Sequence, residues 1–162
     1  MKVILQSRNN SCLMAVLAMI IGEDEHYVLD WFFPIVPPIS DEDAMVFLAN
    51  HGVFFGNYAD LTQLGNNGKG IKITADTEIK ILYTLANRLA YITVDSPITE
   101  GLFHAVLWNG KQVLDPLNKI PQSLKNYKVR EVYPLTCTSK RLKYYERIWE
   151  ETTEETGGGK DE

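Results

Sequence analysis

A run of uncharged apolar residues near the N-terminus, Leu13 to Ile21, restricts the possible folds of this chain more than any other feature. The run consists only of Leu, Met, Ala, Val and Ile. A helix built from it has no polar face, so it must be buried almost all round. Asn10 and Ser11 lie just before Cys12 and the run, and both residue types favour a helix start. The remaining chain must therefore supply enough structure to cover this helix.

Cys12 lies at the N-terminal end of the predicted helix. Unpaired backbone amides and the positive end of the helix dipole meet there, and both favour thiolate over thiol. Gln6 precedes it across a short polar loop, which could fold the side-chain amide back beside the sulfur. Such an amide can donate a hydrogen bond to an oxyanion. Taken alone, Cys12 could equally be a small hydrophobic residue of the core.

Length and composition fit one domain without a membrane segment. The chain has 162 residues, 45% of them hydrophobic, which is enough for a single core. No apolar run approaches the roughly 20 residues that span a bilayer, and no signal peptide is recognisable, so we expect a cytoplasmic protein. Cys12 and Cys137 are too few for a disulfide framework and lack zinc-type spacing. We expect neither a metal nor a cofactor.

The net charge of -5 is located at the C-terminus. Residues 150–162 contain six acidic residues and one lysine, and their net charge of -5 equals that of the whole chain. The body is therefore close to neutral, and no basic surface for nucleic acid is predicted. Residues 151–162 have too little apolar surface to fold. We expect a single domain over 1–150, followed by a disordered acidic tail.

The first third of the chain is predicted to be mostly helical. After an extended segment over 2–6 and the apolar helix, apolar residues at helical spacing predict a second helix from Glu23 to Phe33. Pro34 cannot continue that helix. Ser40 with Asp43 three residues later predicts the start of a third helix, which closes by Gly52.

The rest of the chain has mainly the character of β-structure. A turn over 65–70 and a helix over 77–88 are predicted near the middle, and a charged helix over 139–149 near the end. The predicted strands are Val53–Phe55, Ile71–Thr74, Leu89–Val94, Phe103–Trp108, Lys111–Leu114 and Tyr127–Leu135. Helices first and an antiparallel sheet afterwards predict an α+β domain, in which the Cys12 helix packs against the C-terminal sheet.

Asn109-Gly110 is the strongest hairpin signal in the chain. A two-residue turn at this position pairs Trp108 with Lys111 and, counting outward, His104 with Asp115. In that register the two side chains lie on the same face of the sheet, with their Cβ atoms about 5 Å apart. A carboxylate at that distance can hold an imidazole in one orientation.

Four side chains together match the parts of a thiol acyl-transfer site. Such a site needs a thiolate, an imidazole, a group that orients the imidazole and an oxyanion donor. Cys12, His104, Asp115 and Gln6 are the candidates for these parts in that order. The combination predicts a cysteine peptidase that acts on a peptide or protein substrate. Each of His104 and Asp115 taken singly could instead have a purely structural role.

The same residues resemble the papain-like fold. More narrowly, the chain resembles the bacteriocin-processing leader-peptidase family, which cuts after a double glycine, and its single-domain relatives. The resemblance extends over Lys2 to Pro116 and rests on short motifs. It implies that Cys12 is the nucleophile, His104 the general base, Asp115 the imidazole-orienting residue and Gln6 the oxyanion donor.

The residues around Cys12 depart from the pattern of that family. Its members usually have Asp-Cys-Gly at this place, whereas this chain has Ser11-Cys12-Leu13. If the bulky Leu13 fills the cleft, the protein is a papain-like module that binds a peptide or protein partner without cutting it. Amide transfer or deamidation is a further alternative, because these reactions use the same triad and the same thioester. An open groove beside a sulfur close to the imidazole favours catalysis.

Overall fold

The computed structural model describes residues 1–56, 59–60, 69–72, 85, 87–140, 142–143 and 145. Within these ranges the helices are α1 (Cys12–Ile21), α2 (Glu25–Phe32) and α3 (Asp41–Asn50), with a 3-10 turn at Leu124–Asn126. The strands are β1 (Val53–Phe55), β2 (Ala59–Asp60), β3 (Ile71–Lys72), β4 (Ala90–Asp95), β5 (Phe103–Trp108), β6 (Val113–Leu114) and β7 (Lys128–Cys137). The predicted α+β class is confirmed.

Some sequence predictions concern residues outside this description. They are the acidic tail over 151–162, most of the turn over 65–70, most of the helix over 77–88 and the end of the charged helix over 139–149. The described residues between 139 and 145 are helical, as predicted. Residues 2–6, predicted as an extended segment, have no regular secondary structure. The single domain over 1–150 remains a prediction.

Helix α1 is the centre of the main core. Every residue from Leu13 to Ile21 is buried, as its composition predicts. The helix packs against α2 and α3 on one side and against β5 on the other. Gly22 follows its last residue, and the positive φ of 77° at this glycine turns the chain so that the N–H of Glu23 bonds Ala18 O at 3.1 Å. The hydroxyl of Tyr145 caps a second carbonyl of the last turn, that of Ile20.

Helices α2 and α3 begin at side-chain caps. Asp24 accepts a hydrogen bond from Tyr27 N at 2.8 Å, and Ser40 accepts one from Asp43 N at 3.1 Å. Each cap satisfies a backbone donor that lacks an intrahelical partner. The start of α3 is therefore where the Ser40 pattern predicts it. The apolar face of α2 includes the buried residues Val28 and Phe32.

The described strands form an antiparallel sheet in the order β1-β7-β4-β5-β6, and β2 and β3 also pair with β7. The central strand β4 is buried on both faces. Tyr91 belongs to the core that α1 shares, whereas Ile92 belongs to a second core on the other face, which Leu124 and Tyr127 help to cover. A strand buried on both faces needs apolar residues at nearly every position, which explains why AYITV departs from simple alternation.

The predicted hairpin register is wrong by two residues. Trp108 pairs with Val113 instead of Lys111, and Leu107 pairs with Leu114. The cause is the side chain of Asn109, whose Oδ1 accepts hydrogen bonds from the backbone N–H groups of Lys111 at 3.0 Å and Gln112 at 2.8 Å. This arrangement lengthens the loop to four residues.

Because the register differs by two residues, each side chain of the hairpin stays on its predicted face of the sheet. Continued by one residue, the observed register places Asp115 opposite Val106 instead of His104. Val106 and His104 are two residues apart on β5, so their side chains point to the same face. Asp115 therefore remains a diagonal neighbour of His104, at a separation that long polar side chains can bridge.

The central position of α1 predicts a strong dependence of stability on its apolar residues. Leu17 is fully buried, so Leu17→Ala should lower the free energy of unfolding by about 2–5 kcal/mol, measured by urea denaturation. Leu142→Ala is the matched control. Because Leu142 is 44% exposed, this substitution should lower the free energy of unfolding by less than about 1 kcal/mol. Equal losses in the two variants would contradict the central role of α1.

Candidate active site

Cys12 and His104 are brought together by the packing of α1 against β5. Cys12 is the first residue of α1, and His104 is the second residue of β5. Burial raises the pKa of the thiol, but three other effects outweigh it. These are the hydrogen bond with the His104 side chain, hydrogen bonds from the backbone of Ala105 and Leu13, and attraction to His104, and the net pKa is lowered. The surroundings of Cys12 therefore favour the thiolate.

His104 is held between Cys12 and Asp115. Its Nε2 lies 2.7 Å from Asp115 Oδ1, and both side chains are buried. Because Nε2 is bonded to the carboxylate, Nδ1 is the ring nitrogen left to bond the sulfur of Cys12. Burial lowers the pKa of His104, yet the hydrogen bonds with Asp115 and Cys12 raise it to about 9. The imidazole is therefore stabilised as imidazolium.

Both oxygens of Asp115 are saturated with hydrogen bonds. Oδ1 accepts from His104 and from the backbone N–H of Leu117 at 2.8 Å, and Oδ2 accepts from Asn118 Nδ2 at 2.6 Å and from the Tyr127 hydroxyl at 2.7 Å. Burial raises the pKa of this carboxyl, but the bonds from His104, Leu117 and Tyr127, together with the charge of His104, lower it to about 2. Asp115 therefore stays ionised although its side chain has no exposed surface.

Asn118 and Tyr127 were missed as site residues in the sequence. An Asn three residues after an Asp-Pro is a recognisable turn pattern, so Asn118 had a local signal. Tyr127 had none, because it reaches Asp115 only through the fold, from the position just before β7. Burial, followed by the hydrogen bond to Asp115 and its charge, raises the pKa of the Tyr127 hydroxyl. It therefore serves as a permanent donor to the carboxylate.

Gln6 lies in the same groove as Cys12 and His104. Its backbone N–H bonds Pro116 O at 3.1 Å, which ties the N-terminal segment to the residue after Asp115. Its side-chain Nε2 donates to Arg8 O at 3.2 Å, and Oε1 is buried without a partner among the described residues. An amide has two N–H groups, so Gln6 retains one for another acceptor.

The groove over the thiol is open and has a volume of about 520 Å³. Its walls come from the loop before α1, from Pro38 and from the segment around β5. Leu13 is not among the residues that line it. Instead, Leu13 is only 8% exposed and packs in the main core, so the bulky residue after Cys12 does not fill this groove.

Glu25 is a buried carboxylate that organises the loop between Gln6 and Cys12. Its Oε2 accepts from Ser7 N at 2.8 Å, and its Oε1 lies 2.7 Å from Ser11 Oγ. Ser11 occupies the N-cap position of α1, but its side chain makes no capping bond. The expectation that this residue caps the helix is therefore wrong for its side chain, because the hydroxyl bonds Glu25 and Arg8 instead.

The remaining cysteine and histidines lie away from this site. His26 is exposed, and the ring nitrogens of His51 contact Phe47 O at 2.8 Å and the Tyr27 hydroxyl at 3.2 Å. Cys137 ends β7 and forms no disulfide with Cys12. In the part of the chain that the structure describes, no group of three or more His, Cys, Asp or Glu side chains is arranged to hold a metal ion.

Comparisons with known proteins assign no family to the chain. No protein-family model, curated protein or solved structure matches it. Among the described residues, no helix has the length and apolar character needed to cross a membrane. Any functional conclusion must therefore rest on the geometry of the site itself.

The pKa shifts predict a pH range in which the thiolate–imidazolium pair is populated. It extends from the lowered pKa of Cys12 to the pKa of His104 near 9. Asp115→Asn removes the charge that stabilises the imidazolium, so the pKa of His104 should fall and that of Cys12 should rise. The alkylation rate of Cys12 by iodoacetamide, measured against pH in a Cys137→Ser background, should show a midpoint raised by about one pH unit or more. Asp30→Asn, at an exposed position, is the control and should leave the midpoint unchanged.

Loss of the Glu25 carboxylate should loosen the loop before Cys12. Glu25→Ala removes the acceptor of Ser7 N and one of the two acceptors of the Ser11 hydroxyl, so it should lower the free energy of unfolding by about 1–3 kcal/mol and slow alkylation of Cys12. Glu25→Gln should retain most of both properties, because its oxygen can accept from Ser7 N while its amide donates to Ser11 Oγ. Glu23→Ala, at an exposed position, is the matched control. A Glu25→Ala variant indistinguishable from it would show that the loop does not depend on Glu25.

Proposed function

We propose that this chain is a papain-like cysteine peptidase, related to the bacteriocin-processing leader-peptidase family and its single-domain relatives, that hydrolyses a peptide or isopeptide bond. The observation that carries the proposal is the hydrogen-bonded series from Cys12 through His104 to Asp115, with the thiol at an open groove. A peptide or protein in the cytoplasm is the proposed substrate.

In the proposed reaction, the sulfur of Cys12 attacks the carbonyl carbon of the scissile bond. The negative charge that develops on the carbonyl oxygen is stabilised by the backbone N–H of Cys12, which lies in the first turn of α1, and by the second N–H of Gln6 Nε2. His104 donates its Nδ1 proton to the leaving amine, and a thioester forms as the C–N bond breaks. His104 then accepts a proton from water, which attacks the thioester and releases the acid and the thiolate.

Asp115 acts through His104 in this proposal. Its hydrogen bond to Nε2 fixes the ring so that Nδ1 points at the sulfur, and its charge stabilises the imidazolium. The bonds from Asn118 and Tyr127 hold the carboxylate in place. The two residues are therefore proposed to position Asp115 and take no part in the transfer of protons.

The groove geometry favours turnover over a module that only binds a partner. That alternative depended on Leu13 filling the cleft, whereas Leu13 packs in the core. Amide transfer and deamidation use the same thioester, and they differ from hydrolysis in the acceptor or in the amide that is attacked. They stay as alternatives within the same mechanism.

The proposal predicts that reaction with thiol-directed peptide probes depends on Cys12. Cys12→Ala should abolish both covalent labelling and peptide hydrolysis while the circular dichroism spectrum is retained. Cys137→Ser is the matched control, because it removes the other thiol of the chain. Equal labelling of the wild type and Cys12→Ala would refute the proposal.

His104 supplies a second test of the proposed mechanism. Because general acid–base catalysis typically contributes about 100-fold or more, His104→Ala should lower kcat/KM by at least that factor. His51→Ala replaces a histidine outside the groove and should retain the activity of the wild type. Full activity of His104→Ala would exclude the imidazole from the reaction.

A further inference from the structure

Cys12 lines two adjoining cavities. The groove described above forms one of them, and a second cavity of about 320 Å³ forms the other. Cys12 and His104 line both, together with Asn10, Pro38 and Phe103. Because the two cavities share these five lining residues, we treat them as two arms of one cleft that meet beside Cys12. We call the second cavity the acidic arm, because its other walls include Asp41 and Glu131. Leu13 also forms part of its wall.

The two carboxylates of the acidic arm are fixed to the sheet. Asp41 Oδ1 accepts from the Tyr91 hydroxyl at 3.0 Å, and Glu131 Oε2 accepts from Thr93 Oγ1 at 2.9 Å. Tyr91 and Thr93 both lie on β4, and Thr93 pairs directly with Glu131 of β7. The orientation of both acids is therefore set by rigid elements, and a bound group would not have to order them.

Each of these carboxylates keeps one oxygen without a partner among the described residues. Among the described residues, no Lys or Arg lines the acidic arm, and none forms a salt bridge with either acid. Asp41 is half-buried, and burial, together with the nearby charge of Glu131, raises its pKa. Two negative charges held close together next to a cavity would both be stabilised by a cation placed between them.

The other arm of the cleft has a different chemistry. Among the described residues that line it, only Cys12 and His104 have ionisable side chains. Ile98 and Leu102 lie there with 70% and 52% of their surface exposed. A substrate bound across the sulfur would therefore meet uncharged, partly apolar surface on one side and two carboxylates on the other.

We infer that Asp41 and Glu131 determine specificity by binding a basic side chain, lysine or arginine, on one side of the reacting carbonyl of the substrate. This inference rests on the proposed function, because it treats the acidic arm as part of the catalytic cleft. An ammonium or guanidinium group in the arm donates charge-assisted hydrogen bonds to Asp41 Oδ2 and Glu131 Oε1. A neutral side chain of equal length leaves these oxygens to water.

The experiment uses three methanethiosulfonate reagents of different charge: a trimethylammonium ethyl cation, a neutral methyl compound and a sulfonatoethyl anion. Each forms a disulfide with a thiolate and releases methanesulfinate. In a Cys137→Ser background Cys12 is the sole thiol, so the rate constants report on it alone. Dividing each rate constant by that of the neutral reagent removes changes in the thiolate fraction.

The protein with Asp41 and Glu131 intact is compared with the double variant Asp41→Asn, Glu131→Gln. Its ratio of cation to anion rate constants should be at least about tenfold higher, because charges within several Å of a thiol alter the local concentration of a charged reagent. Glu42→Gln is the matched control, because Glu42 follows Asp41 on α3, is exposed and does not line the arm. It should retain the wild-type ratio.

The outcomes separate this inference from the proposed function. An unchanged ratio in the double variant, or an equal fall in Glu42→Gln, would overturn the role of the acidic arm while leaving Cys12 as a reactive thiol. If Cys12 reacts with none of the three reagents, the proposed peptidase function fails and this inference fails with it. Circular dichroism of each variant checks that the fold is retained.

Discussion

The burial of α1 is the constraint on which the rest of this structure depends. A helix without a polar face needs cover on all sides, and α2, α3 and β5 provide it. Only the N-terminal end of the helix reaches the groove, and Cys12 is the residue at that end. Because the helix is packed all round, the thiol is held by a rigid element and cannot shift without disturbing the core.

The charged forms of Cys12 and His104 are stabilised by residues on the sheet and in the segments next to its strands. A thiolate–imidazolium pair loses hydration when it is buried, and this loss opposes the charged forms of Cys12 and His104. Asp115 reverses the balance for His104, and the hydrogen bonds that Asp115 accepts keep it ionised. The charged site therefore depends on residues after β6 and just before β7, well away from the Cys12 helix in sequence.

The hairpin shows how far local sequence reasoning reached. Asn109-Gly110 correctly indicated a turn, and the strand pattern correctly placed His104 and Asp115 on one face. The predicted register was wrong because the Asn109 side chain bonds the backbone and extends the loop. The pair was still found, because a shift of two residues preserves the face on which a side chain lies.

The sequence by itself determined the elements whose signals are local. These are the apolar helix with Cys12 at its end, the caps of α3, and the strand that carries His104, because composition, spacing and turn chemistry act over a few residues. Only the tertiary structure decided that Leu13 leaves the groove open, that Tyr127 and Glu25 support the site, and that Asp41 and Glu131 share a cavity with Cys12. These contacts join residues that are far apart in the chain. Local sequence patterns cannot predict them, because the packing of the elements alone brings such residues together.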